Sequence, residues 1–113
     1  MAYNIFDNAI AILRNIWNSI KKFFVKLLNF ARNIVSFFKN PNRMAKLKSD
    51  RNVIATSIKE NLGNGNYNVV NCLFDTEEGE VVDMQEDAVG IVAEDIDVQT
   101  EQTFGDKAMI VLQ

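Results

Sequence analysis

Residues 20–40 read IKKFFVKLLNFARNIVSFFKN, with five phenylalanines and five cationic side chains in twenty-one positions. Whether this stretch is helix or strand decides the fold. No proline or glycine occurs from Asn4 to Asn40, and Pro41 closes the run. Phe6, Ile10, Leu13, Trp17, Ile20, Phe24, Leu27, Ala31, Ile34 and Phe38 recur at alternating spacings of four and three. That period of 3.5 predicts one apolar seam along a single amphipathic helix over residues 1–40. A continuous helix of this length would extend roughly 54 Å at 1.5 Å per residue.

The cations Arg14, Lys21, Lys22, Lys26, Arg32 and Lys39 interrupt every window of the length a membrane span needs. The seam is therefore expected to lie on an anionic membrane surface or to bury itself against protein. Bulky Phe and Trp on the seam suit a wide bundle or a partner's groove better than a narrow two-stranded coil.

Charge divides the chain. Residues 1–48 hold nine Lys/Arg against Asp7 alone, a net +8; residues 49–113 hold three Lys/Arg against fourteen Asp/Glu, a net -11. The second half is thus excluded as a nucleic-acid surface. At 113 residues the chain has room for one small domain and an appendage. The expected division is a basic helix over 1–40, used for anchoring or oligomerisation, a hinge over 41–50, and an acidic β-rich domain over 51–113.

Residues 51–62 suit either a helix capped by Ser49 or Asp50, or a strand built on Val53, Ile54, Thr56 and Ile58. Beyond Gly63-Asn64-Gly65-Asn66 the pattern is β. Strands are expected at 67–74, 81–84, 88–93 and 107–112, and the alternation of Ile96 and Val98 with Asp95, Asp97 and Gln99 suggests a strand with one wet face. Several short, closely spaced strands point to a small antiparallel sandwich or barrel, so the fold class is α+β with a long N-terminal helix.

Little in the sequence supplies chemistry. There is no histidine, the usual general base and commonest metal ligand. Cys72, the single cysteine, has no base beside it in sequence and reads as a small core residue. The acidic run Asp75, Glu77, Glu78, Glu80, Asp83 breaks the EF-hand order, and Glu94, Asp95 and Asp97 read as solvated turn residues. No catalytic residue, metal ligand or cofactor-binding residue is assigned, and the expectation is a protein that is not an enzyme.

The tail AVGIVAEDIDVQTEQTFGDKAMIVL, residues 88–112, resembles the C-terminal part of the head decoration (capsid-stabilising) proteins of tailed phages. The resemblance rests on Ala88, Gly90, Ile91 and Val92, then Asp95, Ile96 and Asp97, then Ala108, Ile110, Val111 and Leu112. It implies a compact β domain on a capsid lattice in the virion head, a capsid or other assembly protein as partner, and a homo-oligomer, commonly a trimer. In such a protein the N-terminal helix would replace the family's arm as the shell contact. The alternative is a peripheral adaptor on the cytoplasmic face of a membrane, holding anionic lipid through the same helix.

Overall fold

The computed structural model describes residues 8–112. The long helix does not form. In its place come α1 (Ala9–Ile16), a 3-10 turn (Trp17–Ser19), the strand β1 (Lys21–Leu28), a π-helical turn (Phe30–Val35) and the short α2 (Ser36–Phe38). The remainder runs α3 (Pro41–Ser49), β2 (Val53–Asn61), β3 (Tyr67–Asp75), β4 (Glu80–Val82), β5 (Ala88–Ile96), α4 (Val98–Phe104) and β6 (Met109–Leu112).

Asparagines punctuate the first half. Asn18 and Ser19 end the helical turn before β1, as short polar side chains that compete with helical backbone bonds. The Asn29 side chain accepts from the Arg32 N–H at 2.9 Å and starts the π-helical turn. Asn40 caps α3 by accepting from the N–H groups of Asn42 and Arg43. Pro41, expected to open a hinge, is instead the first residue of α3, where its missing N–H costs nothing.

The strands form one mixed six-stranded sheet, ordered β1-β5-β3-β2-β6, with β4 beside the end of β3. This replaces the expected sandwich or barrel, because helices rather than a second sheet cover both faces. Residues 53–61, ambiguous in sequence, are strand, pairing antiparallel with β3 from Val53↔Asp75 to Asn61↔Tyr67. β1 pairs parallel with β5, Lys21↔Val89 through Val25↔Ala93, and again at Leu27↔Asp95 and Leu28↔Ile96. A strand from the basic half is thus hydrogen-bonded to one from the acidic half, and the two halves share one sheet.

On one face α1 lays Ala9, Ile12, Leu13 and Ile16 over Ile58, Val70, Cys72, Phe74 and Met109. On the other, Phe30, Ile34 and Phe38, together with Phe104 of α4, cover Val53, Ala55, Val69, Leu73, Ile91, Ala93 and Ile110. α4 occupies part of the expected wet strand. Asp97 caps it, accepting from the Thr100 N–H at 2.9 Å and from the Phe30 N–H at 3.0 Å, which also ties it to the end of β1. Burial opposes ionisation of this carboxyl, but the hydrogen bonds from Thr100 and Phe30 prevail and hold its pKa below the usual value.

A candidate interaction edge

The predicted seam residues separate in space. Phe6 lies outside the described residues. Leu13 and Ile20 pack on the α1 face of the sheet and Ile10 and Trp17 flank them. Ile34 and Phe38 are buried on the opposite face, and Ala31 is exposed. Phe24 and Leu27 remain outside both cores, 81% and 52% exposed, and Phe23 beside them is 39% exposed. These three apolar side chains sit on β1, an outermost strand of the sheet.

The cations cluster there too. Lys21, Lys22 and Lys26 belong to β1 and are exposed. Arg32 joins Lys21, Phe23, Ser36, Arg43 and one acid, Glu86, around a surface hollow of about 380 Å³ beside the start of the strand. Among the described residues, Lys21, Lys26, Arg32 and Lys39 have no carboxylate within 4.0 Å, whereas Arg14 pairs with Glu60. The Lys22 ammonium donates to the carbonyls of Trp17 at 2.8 Å and Ile20 at 3.2 Å and lies 5.6 Å from the Trp17 ring.

The direction of the free backbone groups follows from the register. Lys59 on β2 donates its N–H to the Ala108 carbonyl at 2.7 Å, so residue 59 turns its backbone toward β6. Its side chain lies over Phe104 and Tyr67, on the α4 face. β1 runs parallel to β5, and β5 and β2 both run antiparallel to β3, so β1 and β2 share a direction. Strand groups alternate. On β1, therefore, residues with side chains on the α4 face (Lys21, Phe23, Val25) turn their backbone toward β5. Lys22 and Phe24 turn theirs outward. At the far end Leu28, buried in the α4-face core, accepts from the Asp97 N–H at 2.9 Å, so the alternation shifts by one residue beyond Val25. The regular pairing lapses between Val25↔Ala93 and Leu27↔Asp95, so the ordered part of the free edge is residues 21–25.

Gly90, opposite Lys22, holds this edge in place. A Cβ there would stand 2.9 Å from both the Lys22 Cγ and the Trp17 ring. The bare backbone lets the tryptophan ring approach β5 closely and anchor the turn that delivers β1. Gly90→Ala should destabilise the fold by about 1–3 kcal/mol through overpacking, read as a lowered denaturant midpoint with an unchanged slope. The other residues of the tail motif, Ala88, Ile91, Val92, Asp95 and Ile96, lie on β5, with Asp97 just beyond it, while Ala108 precedes β6 at the opposite end of the sheet.

Other features look structural. Cys72 is fully buried, and burial pushes its thiol up to about 11. Buried Asn71 accepts from the Ser57 hydroxyl and donates to the Asn33 carbonyl at 2.8 Å, fastening the π-helical turn to β3. Among the described residues no group of three His, Cys, Asp or Glu is placed to hold a metal ion. No helix among them is long and apolar enough to cross a membrane.

The arrangement defines a mixed α+β domain with an open, cationic and aromatic strand edge. No family model matches the chain, and neither the curated proteins nor the solved structures contain a significant match.

Proposed function

We propose that the protein is a non-enzymatic structural component that docks into a larger assembly through the β1 edge. The observation carrying this reading is the exposure of Phe23, Phe24 and Leu27 on an outermost strand whose lysines lack carboxylate partners. Soluble domains cover or shorten such edges, and one that leaves Phe24 exposed beside the outward backbone groups of residues 21–25 invites a further strand. The setting suggested by the tail is the head of a tailed phage, with capsid protein as partner, and it rests on the resemblance of residues 88–112 alone.

An anionic membrane is the second reading, favoured by Phe24 and Leu27 standing among Lys21, Lys22 and Lys26. The outward N–H and C=O groups of Lys22 and Phe24 argue against it. Backbone groups entering apolar lipid without partners are costly, whereas a strand satisfies them.

Gradient sedimentation of lysates from producing cells tests the reading. The wild-type chain should travel with a large particle, and Phe24→Asp/Leu27→Asp should remain with small proteins. A wild-type chain that sediments alone, or that floats with phosphatidylglycerol vesicles, would overturn it.

A further inference from the structure

We infer that the occupant of the β1 edge is an extended acidic segment of another protein, added to the sheet as a seventh strand. This rests on the docking reading above and names its partner chemistry. Three features of the edge select such a segment.

Charge comes first. Lys21, Lys22 and Lys26 line the strand and Arg32 stands beside its start, while among the described residues no carboxylate lies within 4.0 Å of any of them. The acids around the edge are Glu86, which lines the hollow with Lys21 and Arg32, and, by register, Glu94 and Asp95 at the end of β5, where regular pairing lapses. The ordered part of the edge, residues 21–25, is therefore cationic without compensation from its neighbour strand. An entering strand with carboxylates across from these lysines gains opposite-charge pairs, and a basic one meets repulsion.

The same charge argues against a second copy. In any register a second copy brings three more lysines and no carboxylate to the seam, and antiparallel self-pairing centred on Phe24 also sets Lys22 directly opposite Lys26, where like charges are destabilising. The edge suits a partner of opposite sign better than itself.

Backbone direction comes next. Lys22 and Phe24 turn their N–H and C=O groups away from β5, offering the donors and acceptors that strand addition requires. The Phe24 ring, 81% exposed, shares the face of Lys22 and Lys26, where the aliphatic stems of the entering acids can lie against it. The best occupant combines carboxylates with β-branched residues in alternation, the acids running past Lys22 and Lys26 and the apolar side chains past Phe23 and Val25.

The test uses the full chain, labelled with nitrogen-15, and the acetylated, amidated peptide EVEVEVE, with KVKVKVK as its charge-reversed control. At about 1 mM peptide, EVEVEVE should shift the amide resonances of Lys22 and Phe24 and slow their exchange with solvent. Phe23 and Val25, already bonded to β5, should change little in exchange. KVKVKVK should do nothing, and raising the salt should weaken the EVEVEVE response. Phe24→Pro removes one outward donor and should reduce the response at least tenfold, and Lys21→Glu/Lys26→Glu should do the same while keeping every backbone group.

No response to EVEVEVE, or an equal response to KVKVKVK, overturns the inference. So does protection of Lys22 and Phe24 that grows with protein concentration in the absence of peptide, since a second copy would then fill the edge. Shifts of β1 on phosphatidylglycerol vesicles without any on EVEVEVE overturn it in favour of lipid. If the peptide fails while Phe24→Asp/Leu27→Asp still loses particle sedimentation, only the acidic strand is discarded. If sedimentation is unaffected by those substitutions, the docking reading itself falls.

Discussion

Proline at position 23 should destabilise the domain by about 3 kcal/mol, whereas proline one residue later should cost less than about 1 kcal/mol. Both positions hold phenylalanine, both are exposed, and both belong to β1, so composition gives no reason for the difference. The reason is direction. The Phe23 N–H points at β5, where its pairing with Ile91 places it inside the ladder. Proline there deletes a bond and sets its ring against the neighbouring strand. The Phe24 N–H points to solvent, and proline is tolerated on an outer strand when its missing donor faces out. Equilibrium denaturation of the two variants measures the contrast. Equal losses would mean that the backbone directions derived from Lys59 and Ala108 do not carry over to β1.

Removing the carboxylate of Asp87 should be comparably severe, about 3 kcal/mol for Asp87→Ala. Asp87 is 3% exposed, bonds the Lys46 ammonium and stands 3.4 Å from the Arg43 Nε. Arg43 also donates to the carbonyls of Phe37 at 3.0 Å and Glu86 at 2.6 Å and stacks 3.7 Å from the Phe37 ring. One guanidinium thus joins α2, α3 and the approach to β5, and Asp87 is its counter-charge. Alanine would strand a largely buried cation.

The pH dependence has a definite sign. The hydrogen bond from Lys46 to Asp87 raises the lysine pKa above 10.5, against the opposing effect of burial, with the Asp87 and Asp83 charges adding to the rise. Stability from this group is therefore full below pH 10.5 and is lost as pH climbs through the raised value. Because the Lys46 side chain is 41% exposed, the alkaline loss should be small. It should vanish in Asp87→Ala. An unchanged denaturant midpoint in that variant would show that water replaces the carboxylate at no cost.

The acidic half was largely legible in the sequence. Gly63, Gly65, Gly79 and Gly105 all have positive φ and occupy the turns where breaks were expected, so the strands between them fell nearly where the alternation put them. α4 was missed because Ile96 and Val98 alternate with acids. The deciding residue, Asp97, caps a helix instead of facing water along a strand.

The basic half misled for a physical reason. Ile20, Phe24 and Leu27 keep helical spacing, yet Lys21–Leu28 gains a ladder, interrupted at Lys26, by pairing with apolar β5, sixty-odd residues away, and tertiary pairing outweighs local propensity. Asn18, Asn29 and Asn40 carried the correct signal. Read as one polar face, they were boundary residues at regular intervals of eleven. The candidate edge could not be read in advance, since the exposure of Phe24 follows from which strand lies beside it and which side stays open.

The parallel pairing of β1 with β5 also has a consequence for synthesis. Lys21–Leu28 leaves the ribosome early, but its partner is complete only once Ile96 has emerged. During that interval KKFFVKLL is an unpaired, strand-forming segment, and closing so long a loop is slow. Three lysines within its eight residues act as gatekeepers against premature association with other nascent chains. The charge pattern that marks the finished edge for a partner thus also keeps the unfinished chain from aggregating.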